Sequence, residues 1–180
     1  MNRFVITEPA RCIGCRTCEV ACALAHQEAN EIVVRQESFL PRLKVVISKE
    51  ITSTVQCRHC DDAPCVNVCP TNALVYSQNS VQFIAERCIG CKTCVIACPF
   101  GAMNMIVKPV NKSVAGGISA NAMQPHAHKC DLCIDFATGP ACIQACPTKA
   151  IHLMDPASID DMLRTKRELA VSDPAPGVVR

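Results

Sequence analysis

Arg11–Cys22 reads RCIGCRTCEVAC and Arg87–Cys98 reads RCIGCKTCVIAC, identical at nine of twelve positions. The second stretch runs on into Pro99 and completes the pattern C-x2-C-x2-C-x3-C-P. Working outward, two further cysteine groups also correspond: Cys65–Leu74 is CVNVCPTNAL and Cys142–Ile151 is CIQACPTKAI. The chain's 16 cysteines thus fall into four groups of four. Group one is Cys12, Cys15, Cys18 and Cys22, and group two is Cys57, Cys60, Cys65 and Cys69. Group three is Cys88, Cys91, Cys94 and Cys98, and group four is Cys130, Cys133, Cys142 and Cys146. Groups two and four widen the middle gap but keep the x3-C ending and the following proline, Pro70 and Pro147; group one ends in Cys22-Ala23. The order is ABAB, which points to a modular fold.

The spacing has a chemical reason. Three thiolates in a seven-residue loop can reach three irons of one cubane, while the fourth lies on the outgoing helix and reaches the neighbouring cluster, as in bacterial [4Fe–4S] ferredoxins. Zinc also uses C-x2-C pairs, and His126 and His128 precede Cys130. Zinc has little use, however, for a third cysteine at the same spacing or for the Cys-Pro ending. The two histidines read as part of an exposed loop.

Composition narrows the field. Cysteine is roughly 9% of the chain, within the ~8–10% that marks a thiol-based framework. Aromatic residues are only 3%, with no Trp and one Tyr. Cysteine supplies 16 of the positions in the 49% hydrophobic content, so the aliphatic core is thinner than it looks and something besides packing must help hold the fold. A disordered, fibrous or membrane-spanning chain does not fit: Ala63–Ala85 is broken by prolines and polar residues, and Thr93–Val107 is shorter than the ~20 residues of a membrane helix. Met1–Arg11 lacks the apolar stretch of a signal peptide. A cytoplasmic location is the expectation, and a reducing compartment argues for metal ligation over eight disulfides. The formal charge of +2 falls to about −6 if each of four clusters adds roughly two negative charges, which argues against nucleic acid as a partner. Arg11, Arg16, Arg58, Arg87, Lys92, Lys129 and Lys149 each lie within three residues of a cysteine, where they would offset part of that charge or sit as ordinary solvated groups.

Linker lengths bear on pairing. Groups two and three are separated by the 18 residues 70–87, against 34 for 23–56 and 31 for 99–129. Ala73–Tyr76 and Val81–Ile84, with a turn between, read as a hairpin. The expected fold is α+β: an inner ferredoxin-like module (57–98) interlocked with an outer one (1–56 with 99–155), with small hairpins and short helices around four clusters. Sequential pairing stays open at this point. Arg3–Ile6 and Leu43–Ile47 read as strands, Gly14 and Gly90 as tight turns between ligands, and Lys108–Lys129, with Gly116-Gly117 and Pro125, as a surface connection. Residues 156–180 form a C-terminal helix and tail: Asp155-Pro156 caps a helix to about Ala170, with Ile159, Met162 and Leu163 as a stripe for packing on the core or docking a subunit. His26, His59 and His152 read as isolated.

Together the four groups resemble the four-cluster ferredoxin subunits of molybdopterin oxidoreductases. MNRFVI at the start, CIGCRTCEVAC (12–22) and CRHCDDAPCVNVCP (57–70) are most similar to the small HydN/HycB-type subunits of formate dehydrogenase–hydrogenase systems, namely formate hydrogenlyase and hydrogen-dependent carbon dioxide reductase. The resemblance implies four [4Fe–4S] clusters, ligated by Cys12, Cys15, Cys18 and Cys146; by Cys22, Cys130, Cys133 and Cys142; by Cys57, Cys60, Cys65 and Cys98; and by Cys69, Cys88, Cys91 and Cys94. It implies an electron-transfer subunit with no catalytic residue of its own. Its partners would be a formate dehydrogenase catalytic subunit and a hydrogenase or another ferredoxin-like subunit, with a homo-oligomer or filament through the C-terminal helix a further implication. An accessory role in maturing those enzymes is the alternative within the family, and a structural zinc scaffold the alternative outside it.

Overall fold

A computed structural model of the chain describes residues 1–27, 38–114 and 118–172. Eight short strands pair as four separate two-stranded antiparallel sheets, with short helices between them. β1 (Phe4–Thr7) pairs with β8 (Ile151–Met154), so the two ends of the repeat region are stitched together. β2 (Leu43–Ile47) and β3 (Thr52–Gln56) form one hairpin, β4 (Leu74–Ser77) and β5 (Ser80–Phe83) a second. α1 (Thr17–Ala25), α2 (Pro64–Asn67), α3 (Thr93–Ala97) and α4 (Ala141–Gln144) each follow or interrupt a cysteine group. The mixture is the expected α+β class.

Side-chain packing divides into two cores. One joins Val5, Cys18, Cys22, Leu43, Val45, Leu132, Cys142 and Ile151. The other joins Ala63, Cys65, Leu74, Val81, Cys94, Met103 and Ala127. The first draws its cysteines from groups one and four, the second from groups two and three. A buried polar ladder holds β1 on β3: Thr7 and Thr54 share a hydroxyl hydrogen bond, Thr54 donates to Gln56 at 2.8 Å, and Gln56 donates to the Val5 carbonyl at 2.7 Å. Glu19 is buried on α1 and accepts the Val45 N–H at 2.6 Å, which latches that helix to β2.

Residues 108–129 are not the surface connection that their Gly and Pro content suggests. β6 (Asn104–Val114) and β7 (Ile118–His128) make the longest hairpin of the fold, in register from Asn104↔His128 to Val114↔Ile118. Pro109 and Pro125 are tolerated because a two-stranded ribbon consists only of edge strands, where a missing N–H need not break a ladder. Gly116 and Gly117 lie outside the described residues. The ribbon base covers the inner core through Met103 and Ala127, and Pro125 closes over the loop at Gly90. A Cβ built at Gly90 (φ +72°) would sit 2.4 Å from Pro125 Cγ and 2.7 Å from its carbonyl oxygen. At Gly14 (φ +70°), by contrast, the nearest atom would be the flexible Ile47 Cδ1 at 3.0 Å. Left-handed strain alone costs roughly 1–2 kcal/mol. Gly90→Ala should therefore destabilise the loaded protein by about 2–4 kcal/mol and Gly14→Ala by about 1–2, which anaerobic thermal melts will rank.

α5 (Pro156–Ser172) starts as its sequence predicts: Asp155 accepts from the Ser158 N–H at 2.8 Å and from its hydroxyl at 2.7 Å. It does not pack into the core. None of its side chains is buried, and Leu163, Leu169 and Val171 are exposed. No helix among the described residues is long and apolar enough to cross a membrane.

Candidate metal centres

At Cys98 the x3-C-P ending turns the fourth cysteine out of its own helix. A residue before proline is pushed out of the helical region, and Cys98, before Pro99, has φ −75° and ψ 112°. α3 therefore stops after five residues and Cys98 turns away from its own loop. Cys22 is followed by Ala23, and α1 continues through it for nine residues. The loops themselves repeat to the level of the backbone: Arg16 and Lys92 are both left-handed at the helix starts, as are Asn72 and Lys149 after the Cys-Pro steps.

Three small cavities are each lined by four thiols. The first contains Cys12, Cys15, Cys18 and Cys146. The second contains Cys69, Cys88, Cys91 and Cys94. The third contains Cys57, Cys60, Cys65 and Cys98. Each takes three cysteines from one group and one from another, and the rest of each wall is mainly small or apolar. Of the remaining four, Cys142 lies in the field of Cys130, Cys22 and Cys133, and also of Cys18. All sixteen cysteines are free thiols.

Two of the cavities, that of Cys15, Cys18 and Cys146 and that of Cys69, Cys91 and Cys94, combine thiols of two kinds. Burial pushes Cys18 and Cys65 up to about 11, and Cys130 up to about 12. Others are lowered by hydrogen bonds to sulfur. The Thr17 and Thr93 hydroxyls donate to Cys15 and Cys91 at 3.3 and 3.5 Å and bring those thiols down. Burial opposes the Cys69 and Cys146 thiolates, but the Ala73 N–H at 3.3 Å lowers Cys69, and the Thr148 hydroxyl at 3.6 Å with the Ala150 N–H at 3.3 Å lowers Cys146. Four sulfur donors around a small apolar cavity, with N–H and O–H groups already aimed at sulfur, fit a thiolate-ligated iron–sulfur cubane.

Two histidines are not where the sequence reading put them. His126 is buried, His128 half-buried, and both lie on β7 rather than in an exposed loop. His26 is not isolated either. Its Nδ1 lies 2.8 Å from the Cys22 carbonyl and its Nε2 3.1 Å from Asp131 Oδ1, while Sγ of Cys22 and of Cys133 are each 3.9 Å away. Both ring nitrogens thus face acceptors. Burial opposes the charged ring, but the bonds to Asp131, Cys133 and Cys22 outweigh it and push His26 up to about 12. Arg42 pairs with the other Asp131 oxygen, and its backbone N–H donates to Cys22 Sγ at 3.3 Å. Burial works against the Asp131 carboxylate too, yet the His26 bond and the Arg42 charge hold it well below the usual range. His26, Asp131 and Cys133 bring ligand atoms within 4.8 Å of one another, but Arg42 and His26 already neutralise the carboxylate, so the trio reads as an ion-pair brace behind Cys22 and Cys133. His152 pairs with Glu8 at 2.9 Å. The signal available in the sequence was spacing: His26 is one helical turn after Cys22, and Asp131 sits between Cys130 and Cys133.

Comparison with known proteins agrees with this chemistry. The 4Fe-4S binding domain family matches residues 9–25 and 81–104. Electron transport protein HydN of Escherichia coli K12 is 46% identical over 93% of this chain and 96% of its own. Formate hydrogenlyase subunit 2 of the same organism is 38% identical over 94% of this chain and 90% of its own. Putative oxidoreductase AegA, also from that organism, is 41% identical over 93% of this chain, which there makes up 24% of the length. Near-complete mutual coverage, with the same cysteine chemistry, is decisive: the chain belongs to the family of HydN-like, [4Fe–4S]-binding electron transport proteins.

Proposed function

We propose that this chain works in the cytoplasm as the electron-transfer subunit between a formate dehydrogenase catalytic subunit and a hydrogenase or another ferredoxin-like subunit. Its sixteen cysteines hold four [4Fe–4S] clusters. The observation that carries this reading is the composition of the three cavities, each with three thiols from one cysteine group and the fourth from another. By the same logic Cys22, Cys130, Cys133 and Cys142 hold the fourth cluster. The inner module is 57–98 and the outer is 1–56 with 99–155; the two separate cores support this pairing of the cysteine groups, with Met103 and Ala127 of the 99–155 stretch packed on the inner core. Free thiols throughout the chain support a reducing compartment.

The clusters supply one-electron redox chemistry when bound; the chain supplies everything else. Paired loops fix the ligand positions, and Thr17, Thr93, Ala73 and Ala150 donate to sulfur, which stabilises negative charge on the thiolates. Apolar walls such as Val81, Leu74 and Ile151 keep water out. The AegA similarity supports a module built to serve an oxidoreductase, since there the same unit is covalently part of a longer chain. A second copy or a further subunit would dock on α5, whose side chains are all at least partly accessible.

The test is anaerobic purification followed by iron and sulfide analysis and reduction by formate with its dehydrogenase. The expected result is about sixteen irons per chain and rapid bleaching of the whole absorbance by about four electrons. Far fewer irons, or slow substoichiometric reduction, would overturn the reading. Intact electron transfer on deletion of the gene, with only partner maturation lost, would favour the accessory role; zinc without sulfide would establish the scaffold.

A further inference from the structure

Of the seven basic residues close to cysteines, one is unlike the rest. Lys129 is 3% exposed, at the end of β7 and next to Cys130. Lysine is almost never buried to this degree without a counter-charge. Its Nζ donates to two neutral acceptors, the Val81 carbonyl on β5 and the Cys130 carbonyl, the latter at 2.7 Å. Among the described residues no carboxylate lies within ion-pair distance of it. Asp131, its near neighbour in sequence, is engaged by His26 and Arg42. An ammonium taken out of water and met only by carbonyls costs several kcal/mol.

The position supplies the missing anions. Val81 is part of the wall of the cavity that holds Cys57, Cys60, Cys65 and Cys98. Cys130 belongs to the set with Cys22, Cys133 and Cys142. Lys129 thus lies between one thiol set of the inner module and one of the outer, and its charge is felt by Cys65 on one side and Cys130 on the other. His59 adds no second cation: its Nδ1 accepts the Val81 N–H at 3.1 Å, and burial with the Lys129 charge holds it down at about 3.

We infer that Lys129 is a positioning residue for electron crossing between the two modules, its buried ammonium stabilising the reduced form of both clusters that flank it. The inference rests on the ligand sets proposed above. Each of those clusters becomes more negative on reduction, so one cation shared between them raises both potentials. The clusters of the other two thiol sets have no such neighbour among the described residues.

The experiment is a redox titration of the fully loaded protein followed by electron paramagnetic resonance, in wild type, Lys129→Gln, Lys129→Met and Lys129→Arg. In the neutral variants two of the four components should fall in potential, each by tenfold or more in its one-electron equilibrium (~59 mV per tenfold), while two stay in place. Arg should restore both. No shift in a fully loaded neutral variant, a shift in one component only, or an equal shift in all four would overturn the inference. If both neutral variants lose iron, retention by Arg supports the charge requirement, and equal loss in Arg assigns Lys129 to packing and overturns it. A wild type with far fewer than about sixteen irons would instead sink the four-cluster reading, a separate result.

Discussion

Removing iron anaerobically with a strong chelator will unfold this chain, with far-UV circular dichroism collapsing as the visible absorbance is lost. The reason lies in what the interior is made of. Among the described residues the largest fully buried side chains are Leu74, His59, Gln56, Val5, Val81 and Ser80, and half of them are polar. Both cores count cysteines among their members, so each core is partly the lining of a thiol cavity. Every sheet has two strands, and an isolated two-stranded sheet is marginal in water. α2, α3 and α4 have four or five residues, far below the ~12–15 that an isolated helix needs. Apart from α5, which has 17 residues and does not pack into the core, these elements have little to hold them once the ligands let go. Magnitudes point the same way. Structural zinc sites contribute about 10–16 kcal/mol of apparent binding energy, whereas whole domains are stable by only about 5–15 kcal/mol. Losing all such centres at once far exceeds the margin. Native-like dichroism after complete iron removal would show that packing alone specifies the fold, and the ligand-based account would fail.

The parts of this structure that were readable in the sequence are those set by local chemistry. The loops at Gly14 and Gly90, the β4–β5 hairpin, the Asp155 cap and the grouping of sixteen thiols all follow from residue type and short spacing. The β1–β8 pair was not readable as a pair: Phe4 and Met154 meet across nearly the whole chain, and nothing in FVIT names its partner. β6 and β7 were concealed by Pro109 and Pro125, because proline argues against a strand except on an edge, and the sequence does not say that a ribbon has no centre. The stripe on α5 misled in the other direction. Ile159, Met162 and Leu163 have helical spacing, but the short paired strands offer no broad apolar face to receive them. Lys129 looked like any of the seven basic residues near cysteines. Its burial comes from β5 and β7 converging on it, which is a property of the tertiary fold.

Cys98→Ser will damage the cluster held by residues some forty positions earlier, not the one held by its immediate neighbours. Cys94 and Cys98 are four residues apart, near enough to share a helix face, and a purely local reading would give them the same cluster. The backbone separates them. Pro99 forces Cys98 into an extended conformation at the end of α3, and its sulfur enters the cavity of Cys57, Cys60 and Cys65. Cys94 faces the cavity of Cys69, Cys88 and Cys91 instead. The reciprocal exchange, with Cys69 crossing to the loop of group three, follows from Pro70. The expected loss in Cys98→Ser is up to one cluster, about a quarter of the iron. Its spectral difference from wild type should match that of Cys57→Ser and differ from that of Cys94→Ser. A match to Cys94→Ser would mean that each loop keeps its own fourth ligand. The two groups of the inner module would then have no tie through that metal, leaving the linker 70–87 and the shared packing of Ala63, Cys65 and Cys94 to hold them together.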